Sequence, residues 1–242
     1  MTKHIKKVSG LSRRELLVGS AAGAGLVIGY SVLPNAVDSA SKAIAAGEWN
    51  HQQYLTMDVD GKAIVHVTKC ELGQHIATAL AQAVAEELEI NWDDVSVDYP
   101  DSHAKWGLML TGGSWSVNWT FDRNSRIGAS ARIALIEAGS KMMKAMPANC
   151  YAKNSRVYTA DGSKSVSYKE ILSSNTIDRT FSEEEMMSLK LKSYGEYNIV
   201  GQSKQPFDLP PKLDGSAKYG IDVFVPNMVC LLYTSPSPRD DR

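Results

Sequence analysis

Hydrophobic and polar residues alternate in two stretches of the chain, each interrupted by an Asp-Gly pair of the kind that favours a hairpin turn. The first hairpin is predicted over Tyr54–Val59 and Ala63–Thr68, and the second over Arg156–Thr159 and Ser165–Ser167. A helical pattern follows each hairpin. One further strand is predicted at Val95–Tyr99, after the first of these helical patterns.

Three helices are predicted from apolar residues that recur every three or four positions. They cover His75–Glu89, roughly Phe121–Met146, and Tyr168–Ser173, where Ser167 is expected to cap the first turn. Pro147 ends the long helix, because proline cannot donate the backbone hydrogen bond that would continue it.

The chain after the third helix changes character. Asn175–Lys192 is polar and is predicted to be a linker or a surface excursion, and a strand is predicted at Gly220–Val225. The predicted organisation is a leader at residues 1–45, a main domain at 46–200 and the start of a second domain at 201–229.

Two small, polar segments directly precede the two long helical patterns. They are Glu71-Leu72-Gly73-Gln74 and Thr111-Gly112-Gly113-Ser114-Trp115-Ser116. The first N–H groups of a helix have no partner within the helix, and the helix dipole favours negative charge there. Each segment is therefore a candidate for holding an anionic cofactor.

Composition excludes some function classes. The chain has 242 residues, enough for one large or two small domains, and after residue 45 it carries a net charge of −5, which argues against a nucleic-acid partner. It has three cysteines without CxxC spacing, so neither a zinc site nor an iron–sulfur cluster is encoded. A Cys70–Cys150 disulfide and buried free thiols both remain open.

Residues 1–45 resemble a twin-arginine export signal. Arg13-Arg14 is followed by a glycine-containing apolar run, Pro34 and an A-x-A cleavage site at Ala43-Ile44-Ala45. This predicts a periplasmic protein that crosses the membrane already folded through the twin-arginine export machinery. An uncleaved N-terminal anchor is the alternative.

Four ordered motifs carry a family resemblance. They are the two glycine segments, the stretch RNSRIGASAR at 123–132, and DLPPKLDGSAKYGID at 208–222. Together they resemble the isoquinoline 1-oxidoreductase large-chain and aldehyde dehydrogenase branch of the xanthine dehydrogenase family of molybdenum hydroxylases. The resemblance implies an α+β fold, with a molybdopterin-binding domain followed by the opening of a hammerhead domain at 208–222.

The same resemblance implies a function and a site. The parent protein would hydroxylate N-heteroaromatic or aldehyde substrates with water as the oxygen source. It would use molybdopterin cytosine dinucleotide and pass electrons to a small subunit that carries two [2Fe–2S] clusters. The implied cofactor contacts fall in the two glycine segments: Leu72, Gly73, Gln74, Gly112, Gly113, Ser114 and Ser116. No catalytic residue or metal ligand is assigned.

One position departs from the family pattern. The family reads Gly-Gln-Gly, and this chain has His75 in place of the second glycine. The side chain would crowd the cofactor, donate a hydrogen bond to phosphate, or face solvent. Two further sets stay open between cofactor binding and ordinary packing or solvation: Arg123, Arg126 and Arg132, and Trp106, Trp115 and Trp119.

Two other function classes are the alternatives, a serine hydrolase and a non-catalytic module. Gly112–Ser116 lacks the last glycine of a hydrolase nucleophile elbow, and Ser102–Lys105 fits S-x-x-K without its companion motifs, which disfavours a serine hydrolase. An exported, non-catalytic binding or scaffold module that keeps the fold is the remaining alternative. Convergent cofactor segments would argue against it, since a scaffold has no need of them.

The last residues read differently from the rest. Residues 230–242 resemble a translated sequencing adaptor and are expected to be non-native, with a genuine Ser/Pro-rich tail as the alternative. By the family resemblance, the glutamate that acts as base in molybdenum hydroxylases would lie beyond this point, so the fragment itself is expected to be inactive.

Overall fold

The computed structural model describes residues 26–29, 53–174, 177 and 179–229. Most of the leader segment at 1–45 and all of the tail at 230–242 lie outside these residues. The chain divides into two compact units with a boundary between Phe207 and Asp208. Helices and short strands are mixed, as in an α+β protein. Within the described residues, no helix has the length and hydropathy needed to cross a membrane.

A four-stranded sheet lies at the start of the first unit. Its strands, in spatial order, are β1 (Leu26–Gly29), β2 (Gln53–Met57), β3 (Ala63–His66) and β4 (Val95–Asp98). The hairpin β2–β3 is antiparallel, as predicted, with Gly61 at φ 82° in its turn. Strands β3 and β4 are parallel, so the chain between them must cross over.

Helix α1 (Ile76–Leu88) makes this crossover. It packs against the long helix α2 (Trp115–Met143), and Gly128 of α2 sits where the two come closest. A Cβ atom at Gly128 would lie 2.3 Å from the carbonyl oxygen of Val84, so only glycine allows this approach. Helix α2 begins six residues before the predicted Phe121, because its exposed first turns have no apolar face to reveal them.

A second sheet packs near the far end of α2. It contains β5 (Cys150–Lys153), β6 (Arg156–Thr159) and β7 (Ser165–Ser167), all antiparallel. The predicted hairpin β6–β7 is confirmed, whereas the four-residue β5 was not predicted. Helix α3 (Tyr168–Ser174) follows, and the Ser167 hydroxyl accepts a 3.2 Å hydrogen bond from the Glu170 amide, as expected of a cap.

The main core lies between α1, α2 and the two sheets. Its fully buried large side chains come from every layer: Leu55, Met57, Leu88, Ile127, Leu135, Tyr168, Ile171, Leu172 and Met186. The last of these lies in α4 (Glu183–Ser188), inside the stretch that was predicted to be a linker. That prediction was wrong for this helix, which has a Ser182–Glu185 capping box and buries Met186 against the core.

The segment after α4 is held to α1 by a buried carboxylate. One oxygen of Glu86 accepts hydrogen bonds from the amides of Asn198, Ile199 and Val200 at 2.6–2.9 Å, and the other lies 2.7 Å from Lys192 Nζ. Burial opposes ionisation of Glu86. The Lys192 ammonium and the three amides outweigh it and hold the pKa of this carboxyl below its usual range.

The second unit begins with α5 (Leu209–Asp214). The strand predicted at Gly220–Val225 is wrong, since Gly220–Asp222 forms a 3₁₀ turn. A strand needs a neighbour for its backbone groups, and residues 208–229 include no strand that would pair with it. Apolar side chains such as Ile221 and Phe224 are more than 80% exposed within this stretch.

Candidate functional site

The fold brings the two glycine segments together. Thr111 Oγ1 accepts a 2.8 Å hydrogen bond from the amide of Cys70, which joins the residue before one segment to the first residue of the other. Lys69 Nζ donates to the carbonyl oxygens of Leu108 and Leu110 at 3.4 and 2.9 Å. The parallel β3–β4 crossover thus places both helix starts on one side of the first unit.

The segment before α1 is closed by its own carboxylate. Glu71 Oε1 accepts hydrogen bonds from the amides of Gly73 and His75 at 2.7 and 3.0 Å. Glu71 Oε2 accepts another from the amide of Ile76 at 3.0 Å. The expectation that this helix start offers free amides is therefore wrong, because an acidic side chain already lies where an external anion would bind.

Gln74 closes the rest of the same turn. Its side-chain oxygen accepts a 2.6 Å hydrogen bond from the amide of Leu72, and its nitrogen donates to the carbonyl of Cys70 at 2.9 Å. The predicted contacts Leu72, Gly73 and Gln74 are thus part of a turn whose side chains satisfy its own backbone.

His75 adopts a left-handed backbone conformation, with φ 58° and ψ 40°. Non-glycine residues in this region have their Cβ close to a carbonyl oxygen, which costs about 1–2 kcal/mol. A glycine at this position of the Gly-Gln-Gly pattern would adopt the same conformation more readily. His75 is exposed at the start of α1. Having histidine in place of glycine therefore affects the backbone conformation here as well as the side chain.

The segment before α2 has a similar backbone conformation but differs in the side chains at the helix start. Gly113 and Ser114 both have positive φ values, 61° and 58°. The Ser114 side chain makes no capping hydrogen bond, and the first turn of α2 contains no acidic residue. This helix start therefore combines a favourable dipole with no negative side chain of its own, and it carries the predicted contacts Gly112, Gly113, Ser114 and Ser116.

Lys69 lies beside this second segment, and a second cation, Arg123, lies near Lys69. Lys69 is 5% exposed, and burial, reinforced by the nearby Arg123 charge, lowers the pKa of its ammonium group. The Arg123 guanidinium stacks 4.2 Å above the ring of Tyr54. Lys69 is buried and Arg123 is half-buried, and their positive charges repel each other, so a negatively charged group close to them would be favourable.

The three tryptophans divide into two groups. Trp106 is buried and contacts the rings of Tyr54 and His66 at centroid distances of 6.0 and 5.7 Å, so it belongs to the core. Trp115 and Trp119 stack on each other at 4.1 Å and remain 45% and 52% exposed. Both rings belong to the first turns of α2, and the Trp115 ring lies 3.3 Å from the position of a Cβ built at Gly113.

Arg126 and Arg132 are engaged in polar contacts with other helices or with their own. Arg126 Nη1 donates to the carbonyls of Met186 and Met187 at the end of α4, and its Nε lies 2.7 Å from Asp122. Arg132 lies 3.4 Å from the buried carboxylate of Glu87. Arg123 stacks on Tyr54 and lies near enough to Lys69 to lower the pKa of that ammonium group.

Sequence reasoning missed the role of Glu71 and Lys69. The signal for Glu71 was an acidic residue just before a helix start, a position favoured by the helix dipole. Lys69 gave no signal, since a lysine is normally exposed and its burial depends on the fold. Cys70 and Cys150 are both free thiols, so the disulfide is not formed, and the expectation of buried thiols is wrong too, since Cys70 is exposed and Cys150 half-buried.

The sequence matches a family model over residues 4–219, described as a molybdopterin cofactor-binding domain. It is also similar to the membrane-bound aldehyde dehydrogenase [pyrroloquinoline-quinone] of Gluconacetobacter polyoxogenes, at 35% identity over 98% of this chain and 30% of that protein.

Two further relatives are oxidoreductase subunits. The beta chain of isoquinoline 1-oxidoreductase from Brevundimonas diminuta is 26% identical over 93% of this chain and 34% of its own length. A nicotinate dehydrogenase subunit of Pseudomonas putida is 25% identical over 73% of this chain and 14% of its own length. The chain thus spans about a third or less of the relatives it matches.

Among solved structures, quinoline 2-oxidoreductase from Pseudomonas putida 86 aligns with a TM-score of 0.42 and 19% identity. The alignment covers 50% of this chain and 15% of that one.

Proposed function

The chain belongs to the molybdopterin cofactor-binding domain family, and we propose that it forms part of the cofactor cradle of an oxidoreductase's large subunit. The hydrogen bond from Cys70 to Thr111 carries this proposal, since it holds two helix starts on one side of the fold. A non-catalytic scaffold would have no need to keep these two segments together.

The residues present fit an anionic cofactor. Gly112, Gly113, Ser114 and Ser116 would hold phosphate oxygens through amides and hydroxyls, with Lys69 and Arg123 supplying positive charge. Leu72, Gly73 and Gln74 would lie against the pterin. The cofactor would supply the redox centre at which substrate is oxidised.

We propose N-heteroaromatic compounds or aldehydes as substrates, with water as the oxygen source. The names of the relatives, which include an aldehyde dehydrogenase, an isoquinoline oxidoreductase and a nicotinate dehydrogenase, support this range. Molybdopterin cytosine dinucleotide is the proposed cofactor, and a small subunit with [2Fe–2S] clusters is the proposed electron acceptor. One relative's name includes pyrroloquinoline quinone; the family model favours the pterin.

Location is a separate proposal. The Arg13-Arg14 leader supports export by the twin-arginine route to the periplasm. Replacing both arginines by lysine should leave the protein in the cytoplasmic fraction, while the unchanged leader delivers it to the periplasmic fraction. Equal distribution of the two forms would contradict this route.

The test of cofactor binding uses two glycines that have open space around them. No atom lies within 4 Å of a Cβ built at Gly112 or at Gly195, and neither has a positive φ. Gly112→Leu would fill the space in front of α2, whereas Gly195→Leu makes the same change elsewhere. In the complete protein, co-expressed with its small subunit, Gly112→Leu should lower the molybdenum-to-protein ratio at least tenfold.

The control should keep its molybdenum, and both variants should melt within a few degrees of the unchanged protein. Equal molybdenum-to-protein ratios in the two variants would mean that the cofactor does not bind at this segment. No molybdenum in the unchanged protein would leave the scaffold alternative in place.

A further inference from the structure

We infer that Glu71 is a positioning residue whose carboxylate takes the place of a bound anion at the start of α1. The anionic group of a ligand therefore binds at the start of α2. This inference rests on the proposed function, because it says which of the two segments holds phosphate. It also assigns a task to an acidic residue that no cofactor contact explains.

The first support is the number of amides that one carboxylate satisfies. Glu71 accepts from Gly73, His75 and Ile76, all at 2.7–3.0 Å, and the Tyr99 hydroxyl lies 3.5 Å away. The acidic partners at the starts of α3 and α4 each bind one amide, that of the cap residue. Glu71 therefore resembles a bound anion more than a simple cap.

The second support is that this turn leaves little for a ligand phosphate. The amides of Leu72, Gly73, His75 and Ile76 all donate to side chains of Glu71 or Gln74. A phosphate would have to displace a carboxylate that the chain itself holds at high effective concentration. The turn is thus set in one shape before any ligand binds.

The third support is the contrast with α2. Its first turn contains no acidic residue, and Ser114 makes no side-chain capping bond. Lys69 Nζ lies on the carbonyls of Leu108 and Leu110 beside this segment, and burial together with the nearby Arg123 charge lowers its pKa, so a negative group close to it would be favourable. An anionic group therefore meets favourable charge at α2 and a competing carboxylate at α1.

The first experiment is chemical rescue with the complete chain. Glu71→Ala should lower the melting temperature by roughly 3–8 °C, since three amides lose their acceptor. Sodium acetate should then raise the melting temperature of this variant by more than sodium chloride of equal ionic strength. Acetate should have no such effect on the unchanged protein or on Glu185→Ala, which loses an exposed capping carboxylate on α4.

An acetate effect equal to that of chloride, or equal in both variants, would overturn the inference. If Glu71→Ala fails to fold, Glu71→Gln serves instead, since it keeps the size and one acceptor oxygen. Because one oxygen binds Gly73 and His75 and the other binds Ile76, hydrogen exchange should then accelerate at least tenfold at the amide or amides that lose their acceptor, with exchange in β6 unchanged. Unchanged exchange at these three amides would count against the inference.

The second experiment locates the anion directly. Inorganic pyrophosphate, titrated into the unchanged protein and followed by amide chemical shifts, should perturb residues 113–117 and leave 73–76 in place. The reverse pattern would overturn the assignment. These results are independent of molybdenum content. Acetate rescue in a protein that contains no molybdenum would support the role of Glu71 and contradict the proposed cofactor. Molybdenum in a protein that shows no acetate rescue would support the cofactor and contradict the role of Glu71.

Discussion

Helices α1 and α2 both begin directly after a residue with a left-handed backbone, His75 and Ser114, yet the side chains at their starts differ. Glu71 occupies the start of α1, while α2 has no acidic residue in its first turn. The rest of α1 is equally committed to the protein, through Gln82 and Glu86, which bind the segment at 192–202. The start of α1 is thus bound by the protein's own side chains, whereas the first turn of α2 has no acidic side chain that would compete with an anionic ligand.

This difference teaches that a glycine-rich helix start does not by itself indicate an anion site. The same backbone geometry serves a closed structural turn in one case and an open one in the other. The presence of a nearby carboxylate decides between them, because charge at a helix start is felt within the first turn. Four substitutions test the difference between the two helices and the contacts that hold them.

Glu86→Ala should have the largest effect, about 3–5 kcal/mol of unfolding free energy, because Lys192 and three amides lose a buried acceptor. Urea denaturation measures the loss, and Glu184→Ala on the exposed face of α4 should change stability by less than ~0.5 kcal/mol.

The same carboxyl predicts an acid dependence. Its pKa is lower in the folded protein than in the unfolded chain, so its contribution is complete above the unfolded value and is lost as the pH falls through the folded one. Glu86→Ala should therefore lose less stability than the unchanged protein on acidification. Parallel acid profiles would contradict this assignment.

Gly128→Ala should be next, at about 1–3 kcal/mol, because its methyl group would overlap the Val84 carbonyl and push α1 from α2. Thermal unfolding measures it. Gly195→Ala, which meets no atom within 4 Å, is the matched control and should change little. Equal losses would mean that the helix–helix approach is not the cause.

Thr111→Val should cost about 1 kcal/mol, since the shape is kept and only the acceptor for the Cys70 amide is lost. Thr111→Ser keeps a hydroxyl and should retain most of the stability. Because this bond joins the two segments, the valine variant should also show faster hydrogen exchange at Cys70. If the valine variant matches the serine variant in both measurements, this hydrogen bond does not hold the two segments together.

His75→Gly should have the smallest effect and the opposite sign, a gain of less than ~1 kcal/mol. Glycine relieves the left-handed backbone and gives back part of the gain through its greater freedom when unfolded. His75→Ala keeps the strained backbone and separates it from the loss of the imidazole. A gain in the alanine variant equal to that in glycine would assign the effect to the side chain.

The local elements followed from sequence where the pattern was strong. Both hairpins, α1 and the Ser167 cap were predicted because Asp-Gly turns, an apolar face and a cap residue act over a few residues. Failures occurred where local signals were weak: the exposed first turns of α2, the short β5, and α4 with its single buried methionine.

The family and the two segments of the candidate site could be identified from the order of residues alone, since both depend on residue identity in a fixed order. The use of those segments depends on the folded chain. The hydrogen bond between Cys70 and Thr111 and the burial of Lys69 come from residues that are far apart in sequence and are brought together by the fold, whereas Glu71 binds amides only two to five residues away. Which amide a carboxylate reaches depends on distances of a few ångströms, and a one-dimensional pattern contains no such distances.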